Sequence, residues 1–162
     1  MREYLTVPTS FGDLIAAAEE GAVVRIYLPG DLPDEPFSES PTLLLSKTAA
    51  ELQEYFTGKR KAFDLPLEPC GTPFQRKVWQ ELCRIPFGEV ASYGEIAARI
   101  GLPKGARAVG QANHRNPIPV IIPCHRVVAA GNKIGGYGGG IALKIRLLAL
   151  EGVSDFCSGP GD

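Results

Sequence analysis

In the stretch Ile118–Val128, IPVIIPCHRVV, a thiol, an imidazole and a guanidinium follow one another inside an apolar run. A free cysteine among aliphatic residues is ordinarily a small hydrophobe, and burial raises its pKa and keeps it inert. Cys124 differs in having His125 and Arg126 beside it, a pair able to make its surroundings electropositive and favour the nucleophilic thiolate. Geometry restricts the partnership. Consecutive residues of a regular strand face opposite ways, so either the strand breaks at Pro123 or a water joins His125 to the sulfur. Glu151 is the third candidate. It sits at the end of the last helix, where the macrodipole disfavours an anion, just before Gly152, the expected C′ glycine. Such a carboxylate is either solvated or held for a tertiary partner. With His125 as that partner, thiol, imidazole and carboxylate form a relay of nucleophile, base and orienter.

Two other features bear on chemistry. Six glycines of AAGNKIGGYGGG flank a lone aromatic, Tyr137. No G-K-[ST] and no strand-led G-x-G-x-x-G is present, so the segment is either a flexible linker or a loop that wraps a flat ligand, and the tyrosine argues for the second. The cysteines, Cys70, Cys83, Cys124 and Cys157, form no C-x-x-C pair, and the chain has two histidines. Neither a zinc site nor a disulfide framework is expected; no metal or cofactor is called for.

The 162 residues are 44% hydrophobic and 22% charged, with net charge −1. That average conceals a segregation. No acidic residue lies between Glu95 and Glu151, while Arg99, Lys104, Arg107, Arg115, Arg126, Lys133, Lys144 and Arg146 do; the interval carries +8 and the rest −9. Such a basic stretch fits a polyanionic partner or, more plainly, a solvated basic face. No run approaches the length of a membrane span and no signal peptide is visible, so the expected location is the cytoplasm.

The elements that must carry these residues fall into two parts. Residues 1–70 read as an α+β domain: strand-like EYLTVPT, DLIAAAE and AVVRIYL, an exposed acidic Pro-rich loop over Pro29–Pro41, and a helix over SKTAAELQEYFTGKR with Leu52, Tyr55 and Phe56 inward and Gly58 as its stop. KAFDLPLEPCG reads as a short strand and linker. Residues 71–153 form a mostly helical domain, and 154–162 a loose tail. Thr72, Pro73 and Gln75 make a capping box ahead of a helix burying Phe74, Val78, Leu82 and Ile85. Ser92 and Glu95 repeat the signature for SYGEIAARIG, Gly101 and Pro103 end it, and KGARAVGQANH forms a second helix closed by Asn116-Pro117. Two short helices joined by GLP fit a helix-turn-helix, though small αα corners are common elsewhere. Ala106, Ala108 and Ala112 would let the second helix approach a nucleic acid backbone, with Arg107 projecting among them. In the final helix, IALKIRLLALEG, Ile141, Ile145 and Leu148 are expected to face inward.

PCHRV, preceded by RAVG and IPVIIP, together with FQRKVWQEL, IPFGEVASYGEIA and GGYGGGIALK, resembles the O6-alkylguanine-DNA alkyltransferase family (methylated-DNA–protein-cysteine methyltransferases) from about Thr72 to Gly152. ELQEYFTGKRKAFDLPL resembles its N-terminal part more loosely. The resemblance implies a ribonuclease H-like α+β domain followed by a winged-helix-like one. It implies a monomer that binds double-stranded DNA containing O6-alkylguanine through the minor groove, flips the base and moves the alkyl group irreversibly to Cys124, O4-alkylthymine being a second substrate. On this reading His125 generates the thiolate through a water, Glu151 orients His125, and Arg107 fills the gap in the stack. Tyr93 rotates the nucleotide and donates a proton toward N3, and Asn116 braces the helix-turn-helix against the cysteine loop. Ala106, Ala108 and Gly110 adjoin the DNA. Tyr137 packs on the guanine, the Gly138 N–H meets O6, and the carbonyls of Cys124 and Val127 accept from the exocyclic amine. The structural zinc of some relatives lacks its ligands here, and Gly138 replaces a serine found in others. The alternatives are a non-catalytic binder of alkylated DNA, a helix-turn-helix regulator, and a cysteine hydrolase.

Overall fold

The computed structural model describes residues 1–154. The chain divides into two compact units, one of residues 1–70 and 117–121, the other of residues 71–116 and 122 onward.

The first unit is a three-stranded antiparallel sheet, β1 (Glu3–Thr9), β2 (Gly12–Glu19) and β3 (Ala22–Tyr27) in that spatial order, with one helix, α1 (Leu43–Phe56). The sheet is a pair of hairpins because two-residue turns separate the three runs. Glu19 pairs with Ala22 across Glu20-Gly21, both with positive φ, as a type I′ turn requires. Central β2 is buried from Leu14 to Ala18, which explains its unbroken apolar run. Leu45, Leu52, Tyr55 and Phe56 of α1 supply core on one side. On the other, Tyr4, Ile15, Ala17 and Tyr27 cluster with Val24 and Phe37. Phe37 belongs to the acidic Pro-rich loop, so that loop is pinned rather than loose: its ring lies 5.0 Å from Tyr4, and Glu39 accepts from Thr6 N at 2.7 Å and Thr6 Oγ1 at 2.9 Å.

Three expectations need correction in this unit. Helix α1 begins three residues before Ser46 because Thr42 caps it, accepting from Leu45 N. Residues 61–71 form no strand; Leu67 makes an isolated bridge to Val23. Pro117–Ile121 packs with this unit although its flanks belong to the other, and the Ile26 N–H donates to Pro117 O at 3.0 Å. That bond and the bridge at Val23 cover the outer edge of β3.

The second unit contains α2 (Pro73–Leu82), β4 (Ala91–Ser92), α3 (Tyr93–Arg99), α4 (Ala106–His114), a 3₁₀ turn over Cys124–Arg126, β5 (Val127–Val128) and α5 (Ile141–Leu150). Strands β4 and β5 form a parallel pair two residues long. Both capping boxes are made: Thr72 with Gln75 at α2, and Ser92 with Glu95 at α3. Trp79 is the largest buried side chain; its Nε1–H donates to Ala112 O at 2.8 Å, fastening α2 to α4. Phe74, expected in the stripe, is only half-buried. In α5 the expected face is rotated: Ile141 and Ile145 are 38% and 39% exposed, while Lys144, Leu147 and Leu148 point inward. Among the described residues no helix is long and apolar enough to cross a membrane. The tail expected from 154 falls, with Cys157, outside the described residues after Ser154.

Candidate active site

The apolar run does break where Pro123 stands. Pro123 has ψ 64°, and Cys124, His125 and Arg126 form a 3₁₀ turn closed by Val127 N–H donating to Cys124 O. A 3₁₀ turn separates successive side chains by about a third of a rotation rather than half. His125 and Cys124 therefore diverge less than on a strand, yet still leave in different directions. Asn116 Nδ2 donates to Ile122 O at 2.8 Å and Asn113 Nδ2 to Cys124 O at 3.3 Å, so the C-terminal end of α4 holds the backbone on which the thiol rides.

Glu151 is not a solvated surface carboxylate. It is the C-cap of α5, followed by Gly152 at φ 83°; Gly152 N bonds Ala149 O and Val153 N bonds Leu148 O, the Schellman pattern that needs a left-handed residue at this position. The cap directs the Glu151 side chain inward, where four donors converge on it. His125 Nε2 lies 2.7 Å from Oε2, Arg126 donates from Nε at 2.8 Å and from Nη2 at 3.0 Å, and Gly88 N–H from 3.2 Å. Arg126 also donates to Ile85 O at 2.7 Å. A carboxylate accepts only, so His125 carries its proton on Nε2, leaving Nδ1 as the basic nitrogen. The bidentate guanidinium supplies the charge that the terminal dipole lacks.

Burial sets the titration of this cluster. Desolvation pushes the Cys124 thiol above its ordinary range; hydrogen bonding by Asn116, the Lys144 charge and hydrogen bonding by Tyr137 pull it partway back. His125 is lowered, first by desolvation, and further by the Arg126 and Lys144 charges, against the opposing pull of Glu151. At neutral pH the resting site thus holds a thiol beside a neutral imidazole, rather than a standing thiolate–imidazolium pair. Tyr93 is raised, chiefly by burial, so its hydroxyl keeps a proton to donate.

Lys144 was hidden in the sequence among the basic residues. It is fully buried, and its Nζ donates to Val127 O at 2.6 Å and to Gly136 O at 3.0 Å. Desolvation lowers its pKa to about 8. It ties the glycine-rich loop to β5 beside Cys124. Gly135 fits here because a Cβ at its φ of 73° would stand 3.1 Å from Tyr93 Oη and 3.4 Å from Lys144 Nζ. With Lys144 and Arg126 both buried, six of the eight cations of the acid-free interval remain on the surface.

Helices α3 and α4 pack together and border an open groove of about 1030 Å³. Tyr93, Ala106, Arg107, Gly110, His114 and Gly136 are among its lining. Arg107 and Ala108 are exposed, but Ala108 does not line the groove. Cys124 is 4% exposed and is not a lining residue either; Tyr93, close enough for its charge and that of Cys124 to interact, and Gly136 are. Tyr137 is half-buried at the thiol, and Gly138 stands in the Tyr137–Gly140 turn, where a Cβ would meet His114 O at 3.7 Å. Among the described residues no cluster of three or more His, Cys, Asp or Glu could hold a metal ion.

Residues 3–69 match the family model described as 6-O-methylguanine DNA methyltransferase, ribonuclease-like domain, and residues 73–153 its DNA binding domain. The chain is 45% identical over 163 aligned residues to the constitutive methylated-DNA–protein-cysteine methyltransferase of Bacillus subtilis, covering 95% of this chain and 98% of that protein. It is 56% identical to the Methanosarcina mazei protein of the same name, covering 85% and 89%. The crystal structure of Mycobacterium tuberculosis OGT in complex with DNA superposes with a TM-score of 0.85 at 42% identity, covering 92% of each chain.

Proposed function

From the premise that the chain belongs to the 6-O-methylguanine DNA methyltransferase family, we propose that it repairs DNA by moving an alkyl group from guanine O6, and from thymine O4, onto its own Cys124. The observation that carries this reading is the buried chain of contacts from Glu151 through His125 to the turn that bears Cys124, next to a groove lined by Arg107 and Tyr93. A relative of the same fold in complex with DNA supports DNA as the partner.

The chemistry follows from the protonation states. His125 Nδ1 takes the thiol proton through a bridging water, while Glu151 holds Nε2–H and stabilises the imidazolium that forms. Because burial raises the thiol and lowers the imidazole, transfer of that proton is uphill at rest and proceeds together with attack. Sγ bonds to the alkyl carbon in line with the departing oxygen, the carbon–O6 bond breaks, and its electron pair goes to the purine. The Tyr93 hydroxyl gives its proton to N3 as the base gains charge. The product thioether has no hydrolytic exit, so each chain reacts once.

DNA binding uses α4 in the minor groove, where sequence is poorly distinguished, as suits damage found anywhere. The alkylated base must leave the stack to reach Cys124, and Arg107 takes its place. Ala106 and Gly110 permit close approach along one side of α4, with Ala108 beside them. Asn116 links that helix to the reactive turn, Tyr137 packs on the guanine, and the Gly138 N–H meets O6. The protein acts as a cytoplasmic monomer. Incubation with excess duplex carrying O6-methylguanine tests the proposal: removal of the lesion stops at one per chain, whereas continued turnover would make it a hydrolase.

A further inference from the structure

A buried ion pair can hold itself together and still sit in the wrong place. Arg126 and Glu151 are joined by two parallel bonds, and the guanidinium rides on a long stem, so those bonds alone do not stop the pair from rocking as one body. The turn that follows α2 ties it down. Ile85 O accepts from Arg126 Nη1 at 2.7 Å, Arg126 Cζ stands over the Phe87 ring, 5.9 Å from its centroid, and the Gly88 N–H donates to Glu151 Oε1 at 3.2 Å. Four consecutive residues thus hold both members of the pair.

The carboxylate end of this grip depends on glycine at 88. Glu89 N donates to Pro86 O at 3.1 Å, closing a β-turn in which Gly88 stands third. Its φ of 83° is the left-handed conformation that a type II turn needs at that place. A Cβ at Gly88 would stand 3.3 Å from Glu151 O. That oxygen belongs to the α5 cap, whose backbone is fixed by Glu151 N bonding Leu147 O, Gly152 N bonding Ala149 O and Val153 N bonding Leu148 O. The cap cannot give way, so a side chain at 88 must shift the turn and carry its N–H off the carboxylate.

We infer that Gly88 is a positioning residue for alkyl transfer, its N–H holding the Glu151 carboxylate where Oε2 meets His125 Nε2. The inference rests on the proposed transfer to Cys124. It gives a part in that reaction to the loop between α2 and β4, none of whose residues from Ile85 to Glu89 lines the groove.

Gly58 supplies the control. Its φ is 79° and a Cβ there would meet nothing within 4 Å, so Gly58→Ala carries the same backbone strain without pressing on Glu151. Single-turnover transfer from saturating duplex carrying O6-methylguanine is measured across neutral and acid pH for wild type, Gly88→Ala and Gly58→Ala. Gly88→Ala is expected to be slower by about tenfold, the scale of a small misplacement in a catalytic group, and Gly58→Ala to keep the wild-type rate. The acid side of the profile carries a second signature. Glu151 raises the pKa of His125, so a loosened carboxylate leaves the imidazole easier to deprotonate, and the loss of rate toward acid moves to lower pH in Gly88→Ala alone. A glycine that served stability only would lower the Tm of both variants and leave the pH profile in place. Gly88→Ala slowed no more than Gly58→Ala, or slowed with an unmoved profile, therefore overturns the inference. Gly88→Asn keeps the crowding at Glu151 O on a side chain that tolerates the left-handed backbone, and serves if the alanine variant fails to fold. No transfer by the wild-type protein would instead sink the proposed function.

Discussion

Glu151→Gln separates the two tasks of the buried carboxylate, charge compensation for Arg126 and orientation of His125. The Glu151 side chain is fully buried and that of Arg126 is 8% exposed, with Nε 2.8 Å from Oε1 and Nη2 3.0 Å from Oε2. Breaking a buried pair while leaving one charge behind costs about 3–5 kcal/mol. Glutamine keeps one acceptor for the guanidinium, which favours the lower end, ~3 kcal/mol, a fall in Tm of roughly 6–12 °C for a chain of this size. The chemical effect has a separate cause. An amide N–H turned toward His125 Nε2 requires that nitrogen to be unprotonated, which moves the ring proton to Nδ1 and blocks the base. The comparable change in a Ser-His-Asp triad lowers the rate about 10⁴-fold, so a loss on the order of 10²–10⁴ is expected here. Urea unfolding and single-turnover transfer from O6-methylguanine duplex measure the two quantities. Arg126→Met combined with Glu151→Gln removes the stranded charge and should unfold later than Glu151→Gln alone. Destabilisation under ~1 kcal/mol, with the rate within threefold of wild type, would refute the reasoning for both tasks.

Arg107→Ala should slow transfer from duplex at least tenfold more than reaction with free O6-benzylguanine, because only the duplex needs its stack filled; equal effects in the two assays would remove that role. Stability should fall with acid because of His125, whose folded-state pKa is lowered. Its contribution is present above the unfolded value of about 6.5 and is lost as pH falls below it, at up to ~1.4 kcal/mol per pH unit. Unfolding free energies measured from pH 7.5 to 5 test this, and in His125→Phe that slope should flatten; an identical slope would contradict it. Lys144→Met removes a buried charge that pulls the Cys124 thiol down and unties Gly136 from Val127. Its pH–rate profile should move to higher pH, and an unmoved profile with unchanged rate would leave Lys144 structural only.

What the sequence exposed and what it hid divide on locality. Thr72 with Gln75, and Ser92 with Glu95, declare their helices because a capping box is complete within four residues. The three strands are bounded by their turns, and Gly152 marks the cap that places Glu151. The carboxylate's awkward position on a helix terminus was itself a local clue to a distant partner. The bidentate Arg126 clamp is not readable, since it forms across 25 residues. Lys144 looked like part of the basic interval because a lysine's sequence neighbours do not reveal whether Val127 O and Gly136 O await it. Ile141 and Ile145 satisfied a helical apolar pattern, but the inward face of α5 is set by Lys144 and Leu148, a rotation that periodicity leaves open. Asn113 gives no signal among small residues; only the fold brings its side chain to the Cys124 carbonyl.

The most direct measurement is the intact mass of the protein, followed by peptide mapping, after reaction with duplex DNA containing O6-methylguanine. One added methylene per chain, located on Cys124 and missing from Cys124→Ala, which still binds the duplex, is the expected result. An unchanged mass, or a methyl group on Cys70 or Cys83 with Cys124 untouched, would contradict it.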